Sequence, residues 1–241
     1  MTLRGSRPGE KAYIFLGGDF EPPQDWPARP GPADLVVGAD GGGRHPSGLG
    51  WPIHVLAGDF DSLDEESIAA LASGGTEIFR HPIAKDEMDF ELALDLVQRR
   101  GFVDIDVLGA LGGRWDMTFG NLFLPARPDF ATLRVRFRHG PWNLFVVHGP
   151  AQFTVKGSQG DLLSLLPLGE DIRGVSLSGC LYPLKRETLL VGRSRGLSNE
   201  LTGASAGLSF DSGTLIVMHR TGPGCHPAAG IHLRFLTQAG D

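Results

Sequence analysis

A repeated ending limits what this chain can fold into. In the N-terminal half, short aliphatic runs each stop at glycine, and aspartate follows closely. Ala12–Leu16 ends in Gly17-Gly18-Asp19, and Asp34–Val37 ends in Gly38-Ala39-Asp40-Gly41-Gly42-Gly43. Ile53–Ala57 ends in Gly58-Asp59-Phe60-Asp61-Ser62, and Ile105–Leu108 ends in Gly109-Ala110-Leu111-Gly112-Gly113-Arg114. Unbroken runs of Val, Ile and Leu suit strands buried on both faces of a parallel sheet. Helical patterns fill the gaps. Leu63–Ser73 is one, with Ser62 or Asp64 as its cap and Gly74-Gly75 as its stop. Asp86–Arg100 is the clearest: Met88, Leu92 and Leu96 share a face, with Ala93 and Val97 beside them, and Gly101 ends it. Asp116–Leu124 is a third, stopped before Pro125.

After about residue 140 the pattern changes. Leu144–His148 and Gln152–Lys156 flank Gly149-Pro150 and predict a hairpin. Further short strands are expected at Leu162–Leu166, Val175–Ser178, Thr188–Val191, Leu208–Phe210, Leu215–His219 and Ile231–Leu236. Many short strands with turn signals predict a sandwich or barrel. A boundary near Arg138–Trp142 gives an α/β domain over residues 1–140 and an all-β domain over 141–241.

Composition narrows the function classes. With 22 basic and 28 acidic residues the formal net charge is -6, and no dense Lys/Arg patch occurs. That argues against general affinity for nucleic acid or anionic membrane. The two cysteines, Cys180 and Cys225, form no metal-binding or disulfide pattern. No apolar run reaches the roughly 18–20 residues of a membrane span, and Met1–Gly5 carries no apolar leader. A reducing cytoplasm is the expected setting.

Open α/β sheets bind ligands at the carboxyl ends of their strands. Asp40, Asp59, Asp61 and Asp116 would meet there if the strands are neighbours, with Asp86 and Asp89 at the start of a helix. So many carboxylates repel one another unless a hard cation joins them, and Mg²⁺ is the usual partner of carboxylates and phosphates. Glycines let backbone N–H groups approach phosphate oxygens, and Lys85 and Arg114 add positive charge. Together these features predict metal-assisted phosphoryl-type chemistry. Neither a Walker A motif nor a Rossmann glycine fingerprint is present, and Gly-x-Ser-x-Gly is absent. Gly17-Gly18-Asp19-Phe20 reads as a plain loop, the histidines are scattered without metal spacing, and Cys180 reads as a small buried residue.

The ordered motifs resemble those of the thiamine pyrophosphokinase family. They are Gly38-Ala39-Asp40-Gly41-Gly42, Gly58-Asp59-Phe60-Asp61-Ser62, Lys85-Asp86-Glu87-Met88-Asp89-Phe90-Glu91 and Gly112-Gly113-Arg114-Trp115-Asp116. Gly179–Leu184 and Gly196–Glu200 resemble its thiamine-site segments. The resemblance implies a three-layer α/β/α catalytic domain with a mainly parallel sheet, followed by a C-terminal β-sandwich that binds thiamine. It also implies a homodimer whose active sites lie between the catalytic domain of one subunit and the sandwich of the other. The implied reaction is ATP plus thiamine giving AMP plus thiamine diphosphate. By the same resemblance Asp59, Asp61 and Asp86 hold Mg²⁺. Asp40, Gly41, Gly42, Ser62, Lys85, Gly112 and Gly113 line the ATP. Arg114 stabilises charge on the transferred group, and Asp116 orients the substrate. Asp89, Tyr182, Ser198 and Asn199 bind thiamine, with Tyr182 stacking on its pyrimidine ring.

The chain departs from the family pattern at Met88, where Thr is usual, and at Met117, where His is usual. Helix-face packing accounts for both, and altered substrate contact is the alternative. Competing readings are a pyrophosphokinase for another alcohol such as a hydroxymethylpterin, a metal-dependent diphosphate hydrolase, and a non-catalytic nucleotide or thiamine sensor.

Overall fold

The computed structural model describes residues 10–23, 25–60, 64–80, 87–222 and, for the backbone alone, 230–233. Its contacts divide the chain into two compact units that meet in sequence at His139 and Gly140.

The first unit is built on a parallel sheet. Its strands are β1 (Ala12–Phe15), β2 (Leu35–Ala39), β3 (Val55–Gly58), β4 (Glu77–Arg80), β5 (Asp104–Leu108) and β6 (Arg134–His139). They lie in the order β6-β5-β1-β2-β3-β4. The chain runs outward from β1 to β4, then returns to place β5 on the other side of β1. That reversal opens a crevice at the carboxyl end of β1, between β2 and β5, which is where doubly wound sheets hold ligands.

The helices are α1 (Arg44–Gly48), α2 (Glu65–Ser73), α3 (Asp89–Arg99) and α4 (Trp115–Phe123). On one sheet face Tyr13, Phe15, Val36, Trp51 and Leu108 form a buried cluster with Phe20, Trp26 and Leu49 packed against it. Ile68 of α2 joins Leu56 and Phe60 in a second cluster. Asp64 caps α2 by accepting from the Ser67 N–H at 2.7 Å. α3 lies on the other face, where the rings of Phe90 and Phe137 meet at 5.9 Å. Its buried residues are Phe90, Ala93, Leu94 and Val97, not the expected stripe through Met88, Leu92 and Leu96. The helix begins at Asp89, so Met88 is the extended residue before its first turn. Phe90 at the i, i+4, i+7 spacing with Leu94 and Val97 buries more apolar surface than that stripe, and so sets the inward face.

Two strands that simple hydrophobic runs do not reveal, β4 and β6, carry charge. On β6, Arg134 pairs with Asp104, and the Arg136 Nε donates to Asp106 at 2.7 Å across the β5–β6 ladder. Asp106 is 5% exposed and also faces Lys11 at 3.7 Å and Arg138 at 3.9 Å. Burial works against its charge, but Arg136, Lys11 and Arg138 together outweigh it and hold the carboxyl below the usual range.

The second unit is a two-sheet antiparallel sandwich. Its strands are β7 (Trp142–His148), β8 (Ala151–Lys156), β9 (Leu162–Pro167), β10 (Ile172–Ser178), β11 (Leu184–Leu189), β12 (Asn199–Glu200), β13 (Ser205–Phe210), β14 (Thr214–Arg220) and β15 (Gly230–Leu233). One sheet holds β12-β9-β14-β7, and the other β11-β10-β13-β8-β15. Phe145, Val147, Leu163, Leu165 and Val217 of the first meet Phe153, Val155, Leu177 and Leu208 of the second in one core. The hairpin expected at Gly149-Pro150 does not form. β7 pairs with β14, and β8 pairs with β13 and β15, so the turn carries the chain from one sheet to the other. The two sheets bury their facing sides in one core, and that packing prevails over the local turn. Among the described residues no helix is long and apolar enough to cross a membrane.

Candidate active site

A cavity of about 410 Å³ opens at the crevice that the sheet order creates. Leu16 after β1, Ala39 and Asp40 at the end of β2, and Gly109 and Ala110 after β5 line its floor. Met88, Asp89 and Phe90 from the start of α3, and Met117 and Asn121 from α4, form its sides. Gly112, Gly113 and Arg114 close the rim.

Close backbone packing builds the floor. Gly18 N donates to Gly109 O at 2.8 Å, tying the turns after β1 and β5 together. A Cβ on Gly42 would lie 2.0 Å from the Phe15 carbonyl oxygen. Gly41 and Gly42 are buried and absent from the lining of this cavity, and they let β2 turn tightly against β1. Gly112 and Gly113 differ: both line the cavity, with φ +81° and +62°. Successive glycines of this kind can turn backbone N–H groups toward one point, an anion-binding concavity.

Asp40 has φ +46° and is half-buried at the start of a single 3₁₀ turn. Gly58, at the end of β3, backs directly onto it: a Cβ there would lie 3.1 Å from the Asp40 backbone N and Cα. Asp59 therefore leaves its strand next to Asp40, half-buried but outside the cavity lining. Asp89 begins α3, where the helix dipole favours a negative charge. Asp61, Ser62, Lys85 and Asp86 lie outside the described residues.

Arg114 and Asp116 form a two-pronged ion pair across the first turn of α4, and both side chains are exposed. Hydrogen bonding from Arg114 is the main cause of the lowered Asp116 carboxyl pKa. Asp116 therefore holds the Arg114 guanidinium in place. Asn121, 5% exposed, donates to the Ala110 carbonyl at 2.9 Å and pins α4 to the turn after β5.

Sequence reasoning missed two residues here. Asp19 lines the cavity, and a Cβ on Gly112 would come within 2.3 Å of its Oδ2. The signal was present, because β1 ends in glycine and aspartate just as β2 and β3 do. His45 stacks on Phe20 at 4.8 Å and hydrogen-bonds the backbone at Gly18 and Leu16, bracing the cavity floor. Burial lowers its pKa despite those bonds.

The remaining expected site residues belong to the second unit. Tyr182 is 59% exposed, its ring open to solvent. Asn199 is 3% exposed; its Oδ1 accepts from the Tyr182 N–H at 3.0 Å, and its Nδ2 donates to the Tyr182 carbonyl at 2.8 Å. Asn199 is thus tied to the backbone of Tyr182 and holds it in place. Ser198 is exposed with φ +54°, and its N–H donates to Ser164 Oγ at 3.0 Å. Cys180 is buried, which raises its thiol pKa to about 11, as suits an inert packing residue.

Among the described residues no group of three His, Cys, Asp or Glu side chains is arranged to hold a metal ion. The lining itself carries Asp19, Asp40 and Asp89 against one guanidinium already paired with Asp116. An all-carboxylate set without Cys or His has the donor chemistry of a Mg²⁺ site.

Comparison with known proteins agrees with this geometry. Residues 31–137 match the family described as "Thiamin pyrophosphokinase, catalytic domain". Residues 152–215 match "Thiamin pyrophosphokinase, vitamin B1 binding domain". The thiamine pyrophosphokinase of Bacillus subtilis (strain 168) is 28% identical over 165 residues, covering 68% of this chain and 77% of that protein. The crystal structure of thiamine pyrophosphokinase from Bacillus subtilis superposes with a TM-score of 0.77 at 26% identity, covering 88% of this chain and 99% of that one. The thiamin pyrophosphokinase structure from Geobacillus thermodenitrificans gives 0.74 at 27% identity, covering 90% and 100%.

Proposed function

The chain belongs to the thiamine pyrophosphokinase family, and from that premise we propose that it transfers the pyrophosphoryl group of ATP to the hydroxyl of thiamine. The hydroxyl oxygen attacks the β-phosphorus and the bond from that phosphorus to the α-phosphate bridging oxygen breaks. AMP leaves, and the hydroxyl proton passes to solvent. The observation that carries this reading is the cavity at the topological switch point, lined by glycines at positive φ and by carboxylates.

Gly112 and Gly113 offer backbone donors to phosphate oxygens, and Arg114, aimed by Asp116, meets the charge that builds on the transferred group. Positioning of this kind supplies most of the acceleration when the transition state is loose. Asp59, with Asp61 and Asp86, would hold Mg²⁺, whose charge offsets that of the phosphates. Asp40, Ser62 and Lys85 serve the nucleotide, and Asp89 the thiamine. Tyr182, held by Asn199, offers a flat face to the thiamine ring, with Ser198 beside it. An acidic cavity suits a substrate whose thiazolium ring is cationic.

A homodimer fits the exposed surface. Trp115, Phe119 and Phe123 recur every fourth residue along α4 and are 70%, 57% and 52% exposed, an aromatic stripe that a partner would cover. A cytoplasmic setting, rich in ATP and Mg²⁺, suits the reaction. The test is the fate of label at the β-phosphorus of ATP. Its appearance in thiamine diphosphate supports the proposal; its appearance only in ADP or free diphosphate would refute it.

A further inference from the structure

Met88 and Met117 come from different elements yet share one wall of the cavity. Met117, Gly120 and Asn121 fall at i, i+3 and i+4, so they occupy one face of α4. Met88 lies across that face: a Cβ on Gly120 would sit 3.3 Å from both its Sδ and its Cε. The bare glycine therefore receives the thioether, and Asn121 fixes α4 beneath it through the Ala110 carbonyl. Met117 is exposed, at 39%, and so remains open to a ligand. The charged groups lining the same cavity are Asp19, Asp40, Asp89 and Arg114. Polarizable thioethers favour the faces and edges of aromatic rings, and the excess of carboxylates favours positive charge.

We propose that Met88 and Met117 form a thioether wall that holds the cationic ring of the acceptor, and so set acceptor specificity without contributing a titrating group. This rests on the function proposed above. It separates the acceptor from the nucleotide, since adenine is neutral and the phosphates are anionic. Met117 is a specificity-determining residue here, and Gly120 makes room for its partner.

The test reads dissociation constants by titration calorimetry for thiamine, and separately for a non-hydrolysable ATP analogue with Mg²⁺, at pH 6 and pH 8.5. In Met117→His the imidazole, with a reference pKa of about 6.5, is charged at the lower pH. It should weaken thiamine about fivefold at pH 6 relative to pH 8.5, while the wild type changes less than twofold and the ATP analogue is not weakened. Met117→Leu, which keeps the apolar surface, should stay within about threefold of wild type at both values. Gly120→Ala should raise the melting temperature, because alanine favours helix over glycine, yet weaken thiamine by displacing Met88; Met88→Ala in the same chain should remove that increment. An effect on the ATP analogue alone, or no pH effect on thiamine in Met117→His, would overturn the proposal. Thiamine binding that follows these rules in a protein forming no thiamine diphosphate would instead overturn the function and leave the wall standing.

Discussion

Gly112→Ala tests whether the loop before α4 is shaped for catalysis or only for folding. Two effects act on the new methyl group. Gly112 has φ +81°, and placing an L-residue in the left-handed region costs about 1–2 kcal/mol. The methyl would also lie 2.3 Å from Asp19 Oδ2, which must swing away. Asp19 is exposed, so it can move outward without breaking the core. The stability loss should therefore stay near about 1–2 kcal/mol, a fall in melting temperature of roughly 2–8 °C for a chain of this size. Activity should fall much further. Arg114 lies two residues on, and a displacement of about 1 Å at a positioning group costs on the order of 100-fold. Melting curves and kcat/KM for thiamine diphosphate formation measure the two effects separately. Adding Asp19→Ala should remove the clash but not the backbone strain, and so recover part of the activity. A Gly112→Ala protein with the expected melting shift and kcat/KM within twofold of wild type would refute the reasoning.

Further outcomes follow from other parts of the structure. Asp106→Asn leaves Arg136 and Arg138 facing a neutral side chain and should destabilise the first unit by about 3–5 kcal/mol, read by chemical denaturation. The depressed pKa of Asp106 means the folded protein binds this proton less readily than the unfolded chain. Its contribution is thus complete above the ordinary carboxylate range near about 4 and is lost as the pH falls below it; Asp106→Asn should flatten that acid-side loss. Asn199→Ala should raise KM for thiamine, like Tyr182→Ala, while the double variant is no worse than Tyr182→Ala; additive losses would mean that Asn199 acts independently. Phe119→Lys should shift the protein toward monomer in analytical ultracentrifugation, and an unchanged sedimentation coefficient would count against the α4 stripe as an interface.

Much of this architecture is legible in the sequence for a physical reason. A strand buried on both faces needs an unbroken apolar run, and β1, β2 and β3 have one; β5 keeps only Val107-Leu108 after Asp104 and Asp106. β6 has no such run, because Arg134 and Arg136 pair with Asp104 and Asp106 of β5, and Arg138 also faces Asp106; such pairing is invisible until β5 lies alongside. The hairpin at Gly149-Pro150 fails for a related reason: a turn signal specifies that the chain reverses, not which sheet receives it. In the site, the glycine-aspartate endings marked Asp40 and Asp59, and the same rule applied evenly would have marked Asp19. Glycine serves both where a phosphate approaches and where two backbones touch, and the sequence alone does not show the second use at Gly42, where a Cβ would lie 2.0 Å from the Phe15 carbonyl oxygen. Met88 was read as helix face because periodicity does not say where a helix starts. The tie between Asn199 and Tyr182 is hidden from the sequence because it spans 17 residues.

The most direct measurement is product stoichiometry. The purified chain, incubated with ATP, Mg²⁺ and thiamine, should form AMP and thiamine diphosphate in a one-to-one ratio, with no AMP when thiamine is left out. ADP as the nucleotide product, or AMP released at the same rate without thiamine, would contradict pyrophosphoryl transfer to thiamine.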